Sequence, residues 1–275
     1  MGGGEERQKF VSPAEISEKN FERIIVCCDS EVEIYNQIVS NLSIDPYKLL
    51  WYKEIFDKRN GFYSEKNEDI MAMYLLSLIG ITHDFSYLEL GTNHPVLGNN
   101  TYAFSRRGGK GVLVEANPEL SAVIQGIRRG DTLINKAITL DGEPAEFYRL
   151  NQSGLGTIAY EKADELTKKQ YDSFSIKEKK VVPGIMVSEA IEILDNQQPD
   201  LMSIDIEGLD WDVLHQIDFC DFRPKVIISE TAPWGYYSHT TDEFDNYFDE
   251  NGYRLFHFNG ANSIYFDRRY ESKIV

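Results

Sequence analysis

The sequence has few cysteines and no long apolar run. Three cysteines occur in 275 residues, and two of them, Cys27 and Cys28, are adjacent. Such a set forms no disulfide framework and fits a reducing compartment. The longest apolar stretch, residues 74–81, is far shorter than the roughly 20 residues of a membrane-spanning helix. We therefore expect a cytoplasmic protein with no membrane partner.

Positive charge is also scarce. The 28 lysines and arginines are outnumbered by 45 aspartates and glutamates, which gives a formal net charge of −17. Such a chain repels the phosphate backbone of nucleic acids, so we expect no nucleic-acid partner. The basic clusters are Arg106–Arg107, Arg128–Arg129 and Lys177–Lys180. We expect each of them to be a solvent-exposed face.

Two regions are predicted: an N-terminal helical extension over residues 1–80 and a main domain over residues 81–275. In the extension, apolar residues at helical spacing predict helices at 30–39, 46–58 and 67–79. No strand is expected before residue 85. If the protein forms a homodimer, we expect the contact in these helices.

From Ser86 onward, strand and helix signals alternate, as in the βαβ units of a parallel sheet. A short extra strand at 145–150 leads into the polar segment 151–180, which we expect to cover a site. The fold class is therefore α/β. Its sheet is predicted to be Rossmann-like and mostly parallel with an antiparallel terminal hairpin, as in class I methyltransferases. The predicted strands are 86–91, 110–115, 132–138, 201–205 and 225–230, then 253–258 and 263–267 joined by a turn at Asn259–Gly260.

The first predicted strand ends in a loop with the features of a ligand site. In open α/β sheets, ligands bind at the carboxyl ends of strands near the switch in strand order. Gly91 allows a sharp turn and a close approach of the ligand. A dinucleotide loop needs glycine where Asn93 stands, because the pyrophosphate touches the backbone. S-adenosylmethionine has no phosphate and tolerates a side chain there. The candidate cofactor residues of this loop are Glu89, Gly91, Thr92 and Asn93.

An acidic residue, Glu115, ends the second predicted strand. A carboxylate in this place holds the ribose hydroxyls of an adenosine, although a carboxylate just before a helix at Asn117–Pro118 has the same appearance. Ala116 is its neighbour in the predicted cofactor site. Lys136 and Ala137 follow the third strand, where an adenine edge would be met; a plain strand end is the alternative.

Carboxylates also follow the next two strands. Asp205 and Glu207 come after the apolar run 201–204, and Glu230 ends the strand after that. Carboxylates at the end of a buried strand are costly unless they are paired, metal-bound or catalytic. Their convergence at one edge of the sheet favours a catalytic site.

These motifs together, in their order and spacing, resemble those of the FkbM-family methyltransferases. The resemblance covers roughly residues 60–232 and implies S-adenosylmethionine as cofactor. It also implies methylation of a hydroxyl, often on a sugar or a glycosylated product, so the partner is a small-molecule or glycan acceptor. Asn93 and Pro95 replace loop glycines common in the family, and Glu89 stands where aspartate is frequent. The matching motifs are Leu88–Pro95, Val114–Pro118, Asn135–Ile138, Ser203–Gly208 and Ile227–Glu230, preceded by a similar segment at 62–69.

Methyl transfer requires alignment of the acceptor oxygen, the methyl carbon and the sulfur, together with removal of the hydroxyl proton. Asp205 is expected to lie near both the cofactor methyl group and the acceptor, so it is also a candidate cofactor-binding residue. We expect it to act as the general base, with Glu207 and Glu230 beside it. A divalent metal such as Mg²⁺ on these carboxylates is an alternative that we do not expect. Two other functions stay open at this point: an NAD(P)-dependent nucleotide-sugar oxidoreductase or epimerase, and a non-catalytic subunit with a cofactor fold.

Overall fold

The computed structural model describes residues 24–26, 49–51, 61–151, 156–168, 175–195, 197–231 and 242–274. Contacts divide the chain into two compact units, residues 1–56 and 57–275. The helix predicted at 30–39 and the cysteines Cys27 and Cys28 lie outside the described residues. The extent of a helical extension over residues 1–80 and the homodimer contact stay predictions.

The first unit contains two short strands, β1 (Ile24–Val26) and β2 (Leu49–Trp51), which pair in parallel. They correct two predictions, the absence of strands before residue 85 and the helix at 46–58. The reason lies in the sequence, because both segments are short continuous apolar runs. Periodicity cannot distinguish such a run in a strand from a turn of buried helix.

The second unit contains the strands and helices of the main domain. In chain order, its strands are β3 (Ser86–Leu90), β4 (Lys110–Val114), β5 (Thr132–Ile134), β6 (Ala137–Ile138), β7 (Ala145–Leu150), β8 (Gly156–Thr157), β9 (Ile176–Val182), β10 (Gly184–Ile185), β11 (Leu201–Ile204), β12 (Val226–Glu230), β13 (Tyr253–Phe258) and β14 (Asn262–Asp267). The described helices are α1 (Glu68–Leu78), α2 (Tyr102–Ser105), α3 (Ser121–Ile127), α4 (Tyr160–Lys168), α5 (Val187–Glu192), α6 (Asp210–Leu214), α7 (Asp242–Glu250) and α8 (Glu271–Ile274), with a 3₁₀ turn at Arg268–Tyr270.

Seven strands form the central sheet in the order β13-β14-β12-β11-β3-β4-β5. Strands β5, β4, β3, β11 and β12 are parallel, and β14 pairs antiparallel with both β12 and β13. The hairpin turn is the predicted one, with Gly260 at φ 96° and Asn259 donating its N–H to the Asn262 carbonyl at 3.1 Å. The predicted α/β fold class is confirmed. The order reverses between β3 and β11, so this is the switch point.

Apolar strands buried on both faces make up the core, as expected for a sheet covered by helices. Leu88, Leu90, Met202, Ile204 and Ile227 are fully buried. The predicted helix at 67–79 is observed as α1, which contacts β12 and β14. None of the described helices is long and apolar enough to cross a membrane.

Two predicted elements begin or end elsewhere. The strand at 132–138 stops at Ile134, and Ala137–Ile138 forms β6, which leaves the central sheet and pairs with β10. Between them, the Asn135 amide donates to the Glu115 carbonyl at 2.7 Å. The helix expected to open at Asn117–Pro118 begins regularly at Ser121, after a turn in which Asn117 Oδ1 accepts the Glu119 N–H.

The predicted strand at 145–150 is β7. It pairs antiparallel with β8 and β9 in a separate three-stranded sheet. Within segment 151–180, helix α4 follows β8. We call the chain from β7 to β9 the inserted segment, because it interrupts the passage from β5 to β11.

Arg128 corrects the expectation that its basic cluster is solvent-exposed, since it is 2% exposed. Its Nε donates to Asp131 at 2.7 Å, and this ion pair is fully buried. The other guanidinium nitrogens donate to Asn99, Thr101 and Tyr87. A guanidinium has five N–H groups in a fixed fork, so it can join several segments at once.

We predict that Arg128→Met lowers the free energy of unfolding by about 3–5 kcal/mol, because it leaves Asp131 as a buried charge without its partner. Urea unfolding measures this loss. Arg129→Met is the matched control: Arg129 is exposed, and a surface substitution is expected to change stability by less than about 0.5 kcal/mol. Equal losses in the two variants would show that the Arg128 network does not support the fold.

Candidate active site

The loop after β3 fits against β11 so closely that only glycine is possible at its first position. A Cβ on Gly91 would lie 1.8 Å from the carbonyl oxygen of Asp205, and the φ angle of Gly91 is +85°. The Asp205 N–H donates to the Leu90 carbonyl at 3.0 Å. The backbone at Gly91, after β3, is therefore in direct contact with the backbone at Asp205, after β11, at the switch point.

A buried network below the loop fixes its path. Asn99 donates from its amide both to Glu89 Oε2 and to the Thr92 carbonyl, each at 3.1 Å. Glu89 is 2% exposed. Burial raises the pKa of the Glu89 carboxyl to about 7, although the nearby Arg128 charge lowers it. Glu89, predicted as a cofactor residue, thus also anchors the loop.

Glu115 joins the loop to the second strand. Its Oε2 accepts the Asn93 N–H and its Oε1 accepts the Asn117 N–H, each at 2.7 Å. Asn93 adopts a left-handed φ of 50°, which asparagine tolerates better than most residues. Each carboxylate oxygen has two lone-pair sites, so each keeps one for a further donor. A pair of ribose hydroxyls fits this requirement.

The predicted adenine-side residues meet the inserted segment. Ala137 is buried together with Phe147 and Val182, and Ala116 packs against the same cluster. Lys136 is partly buried. Ala116 directly follows Glu115 in sequence, and Ala137 belongs to the cluster against which Ala116 packs. The small size of both alanines suits a flat ring, which is the part of the cofactor that the sequence predicts here.

The carboxylates after β11 and β12 form a group that we call the carboxylate cluster: Asp205, Glu207, Asp210 and Glu230. Asp210 begins α6 and accepts the N–H groups of Ile206 and Gly208 at 3.0 and 3.1 Å. These bonds hold the turn in which Glu207 takes a left-handed φ of 57°. The turn therefore brings Glu207 back toward Asp205, while β12 contributes Glu230.

Burial and mutual repulsion raise the pKa values within this cluster. Burial, and then the Glu230 and Asp210 carboxylates, raise the pKa of Asp205 well above its usual range. Burial raises the pKa of Glu207 to about 8, and the charge of Asp205 adds to this. Burial and the Glu207 charge likewise raise the pKa of Glu230 to about 8. The structure thus brings the three predicted catalytic residues into one electrostatic unit.

Charged residues for which the sequence predicted no individual role also act on the cluster. Lys162 of α4 lies 3.7 Å from Glu207. The charge of Glu65 raises the pKa of Asp205, and the charge of Lys66 lowers the pKa of Glu230. No motif marks Lys162, because it lies in a polar helix far from the strand ends in sequence.

The segment containing Glu65 and Lys66 is held by its acidic neighbours. Glu68 Oε1 accepts the amides of Asn259 and Asn262 in the hairpin at 2.7 and 2.6 Å. Asp69 accepts the Tyr63 N–H at 2.6 Å and the Ser64 hydroxyl at 2.7 Å. The structural reason for the predicted motif at 62–69 is thus an anchored turn beside the strand ends.

The loop is poorly suited to a dinucleotide. It runs from Gly91 to Thr101 before α2, which has four residues. A pyrophosphate needs the N-terminus of a helix directly after the glycine loop. Within the described residues, no three His, Cys, Asp or Glu side chains are grouped as a metal site requires.

The strand order and the loop geometry define a Rossmann-like protein of the class I methyltransferase type. The sequence matches the methyltransferase FkbM domain over residues 89–255. The match covers more than half of the chain, and the chain belongs to this family. It is an S-adenosylmethionine-dependent methyltransferase, which confirms the predicted enzyme class and cofactor and rules out the oxidoreductase.

Similar solved structures include a methyltransferase from Geobacter sulfurreducens (10% identity, TM-score 0.40, covering 87% of this chain and 89% of that one). An Aeropyrum pernix fibrillarin with natively bound S-adenosyl-L-methionine has 12% identity and a TM-score of 0.39, covering 73% and 76%. A Bacillus cereus O-methyltransferase in complex with SAH has 12% identity and a TM-score of 0.35, covering 86% and 89%. No curated protein matches the sequence.

We predict that Gly91→Ala abolishes S-adenosylhomocysteine binding and destabilises the fold, because its Cβ would overlap the Asp205 carbonyl. Gly80→Ala is the matched control: Gly80 has a similar φ of +93°, but nothing lies within 4 Å of its Cβ position. The left-handed conformation alone costs about 1–2 kcal/mol for alanine. Thermal unfolding and calorimetric titration of both variants separate that strain from the overlap. Similar results for the two variants would argue against a tight contact at Gly91.

Proposed function

We propose that this enzyme transfers the methyl group of S-adenosylmethionine to a hydroxyl of a sugar or of a glycan-derived acceptor. The observation that carries the proposal is the carboxylate cluster at the switch point, next to the Gly91 loop. Buried carboxylates with raised pKa values are poised to exchange a proton near neutral pH. Carboxylate oxygens also bind pairs of hydroxyls well, which suits a sugar.

The cofactor is assigned to the ends of β3 and β4. The Glu115 carboxylate takes the ribose hydroxyls, and Ala116, Lys136 and Ala137 border the adenine. Gly91, Thr92 and Asn93 form the loop along the methionine part, with Glu89 below it. This assignment is supported by the two free acceptor positions of Glu115 and by the absence of a side chain at Gly91.

When bound, S-adenosylmethionine supplies a methyl group on a positively charged sulfur. The residues of the chain then have two tasks, alignment of the acceptor and removal of its proton. The acceptor oxygen forms a bond to the methyl carbon while the carbon–sulfur bond breaks and its electron pair stays on sulfur. Asp205 takes the hydroxyl proton as general base. Glu207 and Glu230 hold the neighbouring hydroxyls of the acceptor.

The positive charge of the cofactor matters for Asp205, whose pKa is raised in the free enzyme. A raised pKa favours the protonated form of a carboxyl, which cannot accept another proton. A cation placed nearby favours the ionised form. Binding of the methyl donor therefore prepares the base, and the neutral product S-adenosylhomocysteine does not.

Cofactor binding is tested by calorimetric titration with S-adenosylmethionine, S-adenosylhomocysteine and NAD. We expect micromolar binding of the first two and none of NAD. Glu115→Ala should weaken binding of both by at least roughly tenfold, because two ribose hydrogen bonds to a charged group are lost. An exposed carboxylate, Glu192→Ala, is the control. If Glu115→Ala binds as the wild type does, the ribose assignment is wrong.

Proton removal is tested with Asp205→Asn, which keeps the shape of the side chain and removes the base. Methyl transfer from labelled S-adenosylmethionine to a panel of sugars and nucleotide sugars is the assay. We expect kcat to fall roughly 10²–10⁴-fold. Asp212→Asn, an exposed carboxylate in α6, should retain full activity. If the wild type methylates another hydroxyl compound but no carbohydrate, the enzyme is still a methyltransferase, and the proposed sugar acceptor is wrong.

A further inference from the structure

The inserted segment places a lysine against the carboxylate cluster. Lys162 lies in α4, and its Nζ is 3.7 Å from Oε2 of Glu207. The lysine side chain is 18% exposed and the glutamate side chain is 17% exposed. Salt screens a pair this buried much less than a pair on the surface. The positive charge of Lys162 therefore acts on the cluster at close range.

Backbone contacts fix the position of this lysine. Thr157 Oγ1 donates to the Glu207 carbonyl at 2.7 Å and accepts the Ala159 N–H at 2.9 Å. This bridge ties the start of α4 to the turn after β11. At Gly208, a Cβ would lie 3.4 Å from the Cβ of Lys162. The helix thus packs directly on the turn that carries Glu207.

Oε2 of Glu207 has a particular need for this charge. The atom is buried, and no side chain or backbone group in the described part of the chain donates a hydrogen bond to it. A buried carboxylate oxygen without a donor is costly. Lys162 approaches it just beyond hydrogen-bond distance, so their attraction is electrostatic rather than a fixed hydrogen bond. The oxygen stays available to a bound hydroxyl.

Several charged groups face this unit from the elements around it. Burial lowers the pKa of Lys162, but the charges of the four cluster carboxylates outweigh it and raise that pKa above its usual value. From the turn before α1, Glu65 faces Asp205 and Lys66 faces Glu230. Negative groups outnumber positive ones. The removal of a single cation is therefore expected to change the protonation of the whole cluster.

We propose that Lys162 is a positioning residue for methyl transfer, supplied by the inserted segment to favour the ionised form of the carboxylate cluster when the methyl donor is bound, without touching the reacting atoms. The inference rests on the proposed function. It assigns to the inserted segment a role in the proton step, in addition to the predicted role of covering the site. Because α4 carries the charge, a displacement of this helix would make the ionised form of the cluster, and so the active base, less favourable.

Thermal unfolding of the free enzyme between pH 5 and pH 9 tests the charge coupling. Carboxyls whose pKa is raised by folding stabilise the protein fully below their unfolded pKa, and this stability is lost as the pH rises through the folded value. That window runs from about pH 4.5 to about pH 8 for Glu207 and Glu230. Lys162 lowers the pKa values of both groups, so without it the loss of stability over this pH range should be larger. We expect the Tm of Lys162→Met, relative to wild type, to fall by roughly 5 °C between pH 5 and pH 9.

Two variants serve as controls. Lys168→Met removes a lysine of the same helix whose side chain is 72% exposed, so its Tm difference from wild type should stay flat with pH. Lys162→Arg keeps the charge and should follow the pH dependence of the wild type, even if its Tm is lower. A constant Tm loss for Lys162→Met at every pH would reduce Lys162 to a packing role and overturn the proposal.

Titration with S-adenosylmethionine across the same pH range connects the charge to function. The pH of half-maximal affinity should lie about one unit higher in Lys162→Met than in wild type. The ligand's own amino group titrates equally in both proteins, so the difference isolates the cluster. Normal binding with an unshifted midpoint would overturn the role of Lys162 alone. Failure of the wild type to bind at any pH would overturn the proposed function first.

Discussion

The backbone contact between Leu90 and Asp205 is the constraint on which the site depends. The Asp205 N–H donates to the Leu90 carbonyl, and the missing side chain of Gly91 lets the two strand ends meet. Parallel strands in an α/β sheet send their connections in opposite directions at a switch point, which opens a crevice there. The loop after β3 and the acidic turn after β11 consequently start side by side, joined by this hydrogen bond.

The energetic cost of this arrangement lies in the carboxylates. Asp205, Glu207, Asp210 and Glu230 lose hydration without gaining an equal number of cations, and their pKa values rise. Asp267 is a buried acid of the opposite kind, because the Arg223 and Arg269 side chains lower its pKa despite burial. The contrast indicates that the cluster is not built for stability. Such an imbalance is typical of a site that completes its electrostatics with a bound, positively charged ligand.

Most of the central sheet could be predicted from the sequence because its strands are apolar runs that end in polar residues. The same reasoning located Glu115 and Asp205, since a residue that ends a parallel strand must lie at the ligand edge. Arg128 could not be predicted to be buried, because its partners Asn99, Thr101 and Tyr87 come from segments 27 to 41 residues away. Lys162 was hidden for the same reason, since its 45-residue separation from Glu207 follows only from the path of the inserted segment. The strands β1 and β2 were missed because a run of three apolar residues has no measurable period.

In the proposed function, different parts of the chain recognise the methyl donor and the methyl acceptor. The donor contacts come from the loops after β3 and β4, whose geometry follows from the sheet itself. The acceptor side is bordered by elements added to the sheet: α4 with Lys162, and the turn with Glu65 and Lys66 that the hairpin residues Asn259 and Asn262 anchor through Glu68. Changes in these added elements can alter the acceptor without disturbing the strand ends that hold the cofactor. Because Lys162 also favours ionisation of the carboxylate cluster, the inserted segment links the choice of acceptor to the protonation state of Asp205.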